Sequence, residues 1–379
     1  MRYFIIAAEE SAEIYGARLV KEIKKKDDYA TFEGIGGDRM QKEGVKLMYK
    51  AHELALIGVV DIFKKIFFVR KVLSEIKARL KKGEIDAIIL LDAPELNFRV
   101  GKFAHSVGIP VFYYVCPQLW AWRSYRAKSM RKWVDTALVI FPFEEEFYKE
   151  YGIRTKFVGH PMLDEIIPDV NRETLRADLM HSNTKKLIGL MPGSRMSEVR
   201  SILNPLIEVA DLIRAKRPDV SFVIPVAPHM PQAEILASVG PRDFIKVIKG
   251  GSHKVMAAND FLITKSGTST LEAAIVGTPM IIVYKTASLS YIIPKLMANV
   301  RFAGLPNLIA DREIAIEYLQ RDFKPEYVAE TALEFLANQL TLEKKRHEME
   351  EVKKALGEPG AAERAAEYII ERVKEIDNE

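Results

Sequence analysis

Cysteine is almost absent from this chain. Cys116 stands alone among 379 residues, so no internal disulfide can form, and without a cysteine cluster or histidine pair at ligand spacing no zinc site is expected. A reducing, cytoplasmic compartment is the expectation. Long apolar runs are missing too: none approaches the roughly 18–20 residues of a membrane span. The opening Tyr3–Ala8 is too short for a signal-peptide core and runs into Glu9 and Glu10, so it reads as a first strand. No Asp-x-Asp motif occurs, so neither a metal-bridged diphosphate nor any other cofactor is suggested. No short repeat or low-complexity tract interrupts the chain. Strong charge of one sign is also lacking. The net charge of +4 suits anionic substrates or an anionic lipid surface, and no nucleic-acid-binding signature accompanies it.

What is present is a rhythm. Apolar, β-rich runs at Tyr3–Ala8, Phe32–Ile35, Ala87–Leu91, Val111–Val115 and Thr136–Ile140 alternate with longer amphipathic stretches. The rhythm resumes at Leu187–Met191, Phe222–Val226, Phe244–Val247, Phe261–Thr264 and Met280–Val283, after a polar, proline-containing passage near Pro161–Thr174. Such alternation predicts parallel βαβ units. The chain length suits two domains, so the expected fold is α/β, two Rossmann-like doubly wound sheets facing across a cleft. The expected domains are 1–165, 166–345 and a helical tail, 346–379, packing back on the first.

Ligands of open α/β sheets lie beyond the carboxyl ends of the strands, which directs attention to four stretches. Pro192-Gly193-Ser194-Arg195 ends a strand and opens a helix, where unpaired N–H groups and the Arg195 fork can receive a phosphate, or where small residues merely cap. Lys265-Ser266-Gly267-Thr268-Ser269-Thr270-Leu271-Glu272 has the same form. Ser266, Gly267 and Thr268 suit a diphosphate and Glu272 suits two ribose hydroxyls. Asp92 directly follows a buried strand and is the candidate general base, with a loop-capping role as the alternative. Glu9, Ser11 and Glu13 share the rim after the first strand.

Other stretches are open to two readings. Gly34-Ile35-Gly36-Gly37-Asp38-Arg39 begins like a dinucleotide fingerprint but has Arg39 at the third glycine position, so it reads as a tight turn. In Ile57–Lys71 the residues Val59, Ile62, Phe63, Ile66, Phe67 and Val69 crowd one helical side, opposite Asp61, Lys64, Lys65 and Lys71. That pattern suits a helix lying on an anionic bilayer, or an ordinary core-facing helix. The Trp120-Ala121-Trp122-Arg123 run either lines the cleft or packs its domain.

Taken together, these residues resemble the lipid-A-disaccharide synthase family, of GT-B architecture, over nearly the whole chain. The resemblance is carried by Leu91-Asp92-Ala93-Pro94, Val115-Cys116-Pro117-Gln118-Leu119-Trp120-Ala121-Trp122-Arg123, Val158-Gly159-His160-Pro161-Met162, Pro192-Gly193-Ser194-Arg195, Ser266-Gly267-Thr268, Glu272 and Leu305-Pro306-Asn307-Leu308. It implies an inverting, metal-independent transfer that joins UDP-2,3-diacylglucosamine to 2,3-diacylglucosamine 1-phosphate (lipid X). The products would be the β-1,6-linked lipid A disaccharide 1-phosphate and UDP. Asp92 then matches the catalytic carboxylate, and Gly193, Ser194, Arg195, Ser266, Gly267, Thr268, Glu272 and Asn307 the donor side. Glu9, Ser11, Trp122 and Arg123 fall on the acceptor side. Acylated substrates imply a peripheral protein on the cytoplasmic face of the inner membrane, touching anionic lipids through Val59, Ile62, Phe63, Lys64, Lys65, Ile66 and Phe67; a homodimer is allowed.

Two departures stand out. Where the family shows Gly-Glu-x-Ser-Gly-Asp, this chain has Ala8-Glu9-Glu10-Ser11-Ala12-Glu13, and Glu95 replaces the usual Asp. Two other functions stay open on the residues alone. One is another UDP-sugar enzyme, resembling a peptidoglycan N-acetylglucosaminyltransferase or an epimerase, which would share Gly-x-x-x-x-Glu but not Trp-Ala-Trp-Arg. The other is a non-catalytic glycolipid-binding protein, which the altered Ala8–Glu13 loop admits.

Overall fold

A parallel strand covered on both faces needs apolar side chains on both sides of its pleat, and the β-rich runs supply them. The computed structural model describes residues 1–56, 62–121, 123–166, 172–180, 184–285 and 301–378. The chain forms two units, Met1–Asp164 with Leu356–Glu379, and Glu165–Ala355.

The first unit holds a seven-stranded parallel sheet of β1 (Arg2–Ala7), β2 (Thr31–Gly36), β3 (Val45–Lys50), β4 (Ala87–Leu91), β5 (Val111–Tyr114), β6 (Thr136–Val139) and β7 (Thr155–Phe157), in the order β3-β2-β1-β4-β5-β6-β7. The second holds six: β8 (Lys186–Met191), β9 (Val220–Val226), β10 (Ile245–Lys249), β11 (Phe261–Lys265), β12 (Met280–Tyr284) and β13 (Ile316–Leu319), in the order β10-β9-β8-β11-β12-β13. This is the expected α/β, doubly wound class. Three strands were not expected: β3, β7 and β13. All three are edge strands, and their residues are mostly half-buried or exposed, so they lack the continuous apolar signal of the central ones.

Alternate strand residues fill the cores. Phe4, Ile6, Ile88, Leu90, Val111 and Tyr113 pack in one cluster with Val72, Ile76 and Val100 from covering helices. In the second unit Ile188, Leu190, Phe222, Ile224 and Ile263 meet Ile202, Leu206 and Ile213 of the Met196–Lys216 helix. Within β2, a side chain at Gly34 would strike the Ile5 carbonyl, and the register with β3 shifts there. The Gly34–Gly37 run is therefore the end of a strand entering the Asp38–Lys42 helix.

The tail divides at a different place from the one expected. The Gln339–Ala355 helix stays with the second unit, where Arg312 pairs with Glu348 at 2.9 Å and Lys345 donates to the Ile314 carbonyl at 2.7 Å. From Leu356 the chain, with the Ala361–Asn378 helix, joins the first unit. There Lys26 binds Glu363 and Glu367, and Gly360 N–H donates to Asp164 at 2.6 Å. Among the described residues no helix is long and apolar enough to cross a membrane.

In each unit the chain begins mid-sheet, winds outward in one direction, and then winds outward in the other. The reversal falls between β1 and β4 in the first unit and between β8 and β11 in the second. Crevices outside strand ends at such reversals are where open α/β sheets take ligands.

Candidate active site

At the first reversal the chain leaves β4 through two residues in the left-handed region, Asp92 (φ 45°) and Ala93 (φ 40°). Pro94 then opens the Pro94–Ser106 helix. Neither turn residue is glycine, so each costs on the order of 1–2 kcal/mol, and such a turn persists only when its surroundings over-determine it. They do. Buried Asn97 donates to the carbonyls of Leu91 (3.0 Å) and Asp92 (2.7 Å), the Tyr113 hydroxyl donates to the Asp92 carbonyl (2.6 Å), and the Asp92 N–H donates to Val115 (3.2 Å).

The half-buried Asp92 carboxyl thereby stands beside Glu9, which follows β1. Burial first, then the negative charge of Glu9, push its pKa up to about 6, against a lowering contribution from the Ala93 N–H. A carboxyl that titrates near neutrality is matched to proton abstraction.

The rest of this rim sorts out as follows. Glu9 and Ser11 are exposed, open to a ligand. Glu13 does not join them: its carboxylate accepts the Arg39 N–H at 2.7 Å and tethers the Asp38–Lys42 helix start. Arg123 and Arg126 both pair with Glu95, at 2.9 and 2.8 Å, and the Arg126 guanidinium lies 4.2 Å over Phe98. Arg123 is thus tied to the helix that follows Asp92. Trp122 lies outside the described residues. Trp120 has a packing role, donating at 3.0 Å to the buried Glu144. That carboxylate also accepts from Ile140 and Phe141, and burial pushes its pKa up to about 7.

At the second reversal two helices begin side by side, Met196–Lys216 after β8 and Thr268–Val276 after β11. Gly193 (φ 119°) and Gly267 (φ 149°) make the turns that aim them. A pocket of about 550 Å³ opens there, lined by Gly193, Ser194, Arg195, Gly267, Thr268 and Glu272 among others. Two helix N-termini and an arginine whose side chain is 80% exposed give it a positive floor. Glu272 stands one turn into its helix and faces His253 Nε2 at 3.5 Å; that bond raises the His253 pKa.

Two donor-side expectations need correction. Ser266 does not line the pocket; its hydroxyl donates to the Ala303 carbonyl at 2.8 Å. Asn307 is fully buried. Its amide donates to Ala315 and Glu317 (2.7 and 2.8 Å) and accepts from the N–H groups of Ile314 and Ala315 (2.8 and 2.9 Å). Glu317 in turn accepts from Ala303 and Gly304. Every hydrogen-bonding direction of the Asn307 amide is used inside the unit, so it braces the loop on which Ser266 rests and leaves nothing for a ligand.

The pocket also contains Glu198, Ser252 and Lys265, none of which the sequence marked as a ligand contact, and His253 borders it. For Lys265 the signal was present, since it is the last residue of β11. Glu198 shows only as a carboxylate three residues past Arg195. His253 carries no local motif.

Of the residues expected at a membrane, Val59 lies outside the described residues, as do the side chains of Ile62, Phe63, Lys64, Lys65 and Ile66. The backbone forms a helix, Ile62–Leu80. Phe68 and Val69 pack inward, with Phe68 edge-on to Tyr49 at 5.7 Å, whereas Phe67 is 68% exposed. Leaving a phenylalanine in water forgoes roughly 1.5–3 kcal/mol. Among the described residues no group of three His, Cys, Asp or Glu side chains is placed to hold a metal.

Two doubly wound sheets with ligand crevices at matched reversals define the GT-B class of sugar-nucleotide enzymes. Solved structures of that class share the fold. A UDP-GlcNAc 2-epimerase from Neisseria meningitidis bound to UDP-GlcNAc superposes with TM-score 0.64 at 13% identity, covering 98% of this chain and 100% of that one. A ugt transferase from Siraitia grosvenorii in complex with UDP gives 0.63 at 11%, covering 98% and 99%. The family model described as lipid-A-disaccharide synthetase matches residues 3–373. The lipid-A-disaccharide synthases of Anaeromyxobacter dehalogenans and Persephonella marina are each 35% identical, each over 97% of this chain and over 96% and 98% of their own. The chain belongs to the lipid-A-disaccharide synthase family, glycosyltransferases of lipid A biosynthesis.

Proposed function

We propose that the protein transfers the 2,3-diacylglucosaminyl group of UDP-2,3-diacylglucosamine to the 6-hydroxyl of lipid X with inversion. Asp92 takes the hydroxyl proton, the oxygen forms a β bond to the anomeric carbon, and the bond from that carbon to the diphosphate breaks. UDP departs with the electron pair, its charge met by Arg195 and the two helix N-termini rather than by a metal. Glu272, oriented by His253, accepts from the ribose hydroxyls. Glu9, Ser11 and Arg123 are the acceptor-side contacts. The exposed Phe67 on a lysine-rich helix supports a peripheral seat on the cytoplasmic face of an anionic inner membrane, where both acylated sugars reside.

The observation that carries this reading is Asp92, a carboxyl titrating at about 6 and held by a strained turn at the ligand end of its sheet. The test is to incubate the protein with both acylated sugars, follow UDP release, and identify the product anomer by NMR. A β-1,6 disaccharide in step with UDP is expected. UDP-sugar isomerised with no new glycosidic bond, or neither product, would overturn the reading in favour of epimerisation or simple binding.

A further inference from the structure

Lys265 occupies an unfavourable place for a cation. It is the last residue of β11, its side chain is only 16% exposed, and its Nζ would meet a side chain added at Gly267 at 3.2 Å. It therefore lies against the start of the Thr268–Val276 helix, where the helix dipole repels a positive charge. Arg195 stands at the start of the neighbouring helix. A single carboxylate serves both cations: Glu198 Oε1 is 2.9 Å from Lys265 Nζ and 3.6 Å from an Arg195 nitrogen. Glu198 also lies against Gly193, where an added side chain would stand 2.5 Å from the Glu198 Oε2, and its charge, after burial, raises the pKa of Tyr284. The Tyr284 ring lies 5.7 Å from Lys265 Nζ.

Both cations thus contact the same carboxylate, while the other carboxylate of the pocket, Glu272, is engaged by His253. Local rules broken without a structural gain mark functional positions, and a largely buried lysine at a helix start is such a break, one that a dianion in the pocket would compensate. We propose that Lys265 is a second diphosphate-binding cation, held poised by Glu198, and that an arriving nucleoside diphosphate takes over the place of the Glu198 carboxylate. Glu198 is then a positioning residue. By keeping the two cations occupied in the free enzyme it lowers affinity for the departing diphosphate and speeds its release. This rests on the donor reading of the same pocket.

The experiment is calorimetric titration of the full chain with UDP, alongside uridine followed by saturation-transfer NMR. Lys265→Met should weaken UDP binding about 10- to 100-fold, the worth of one charge-assisted contact, with uridine binding unchanged. Glu198→Gln should tighten UDP binding. UDP affinity unaltered in Lys265→Met, or UDP and uridine weakened equally, would overturn the proposal while the donor reading stands. A wild-type protein that binds UDP no better than uridine would overturn both.

Discussion

The two units are built on one plan, but the charged residues at their crevices are opposite in sign. Each winds a parallel sheet outward from its middle and leaves a crevice at the reversal. In the first, the residues at the strand ends are Glu9 and Asp92, and burial, followed by the negative charge of Glu9, pushes the Asp92 pKa up to about 6. In the second, the corresponding crevice presents Arg195, Lys265 and two helix N-termini; among the described residues Glu198 is the carboxylate touching both cations, and Glu272 faces His253. Topology therefore repeats the crevice, and two or three side chains past each strand give it the opposite sign of charge; in the proposed reaction that difference separates proton transfer from diphosphate binding.

Breaking the positive side has the largest expected effect. Arg195→Met should weaken UDP binding about a hundredfold by calorimetry, whereas Glu9→Gln should leave it unchanged; equal losses would erase the distinction between the crevices. Next comes the bracing of that side. Asn307→Ala removes four buried hydrogen bonds and should lower unfolding free energy by about 2–3 kcal/mol in denaturant titration. Loss of UDP affinity at full stability would return Asn307 to the ligand.

The negative side is sharpened by pH. Turnover should rise with pH through about 6 as Asp92 loses its proton. Removing the neighbouring charge in Glu9→Gln should move that acidic limb to lower pH, which a kcat/KM profile would show. An unmoved limb would mean that Glu9 does not act on Asp92. The smallest effect concerns the turn itself. Ala93→Gly relieves a left-handed residue at the helix entry and should stabilise the unit by about 0.5–1 kcal/mol, seen as a higher melting temperature.

The central strands of both sheets, such as Ala87–Leu91 and Leu187–Met191, were legible because burial on both faces demands unbroken apolar runs. The edge strands β3, β7 and β13 were not, since half of each faces outward. The Pro192–Arg195 turn and Asp92 announced themselves by standing directly after such runs. Asn307 misled because a polar residue in a family motif reads as a contact, while its four internal partners lie seven to ten residues on or are backbone groups that no motif displays. His253 and Glu198 were silent because their importance comes from Glu272, Arg195 and Lys265 meeting them in space. Phe68, outside the expected stripe, turned inward and left Phe67 in solvent, a rotation of about 100° between neighbouring residues that periodicity over a short stretch does not settle.

Asp92→Asn tests the account most directly, because asparagine tolerates the left-handed turn and removes only the titrating group. The folded protein binds the Asp92 proton at about 6 against 3.8 for the free side chain. The stability this confers is present below the lower value and is lost as pH rises through the upper one. At pH 8 the variant should therefore be more stable than the wild type by about 1–2 kcal/mol, allowing for partial exposure. Its turnover should fall on the order of 10²–10⁴-fold with UDP affinity intact. Retained turnover, or UDP affinity lost in parallel, would contradict the assignment of proton transfer to the first crevice and diphosphate to the second.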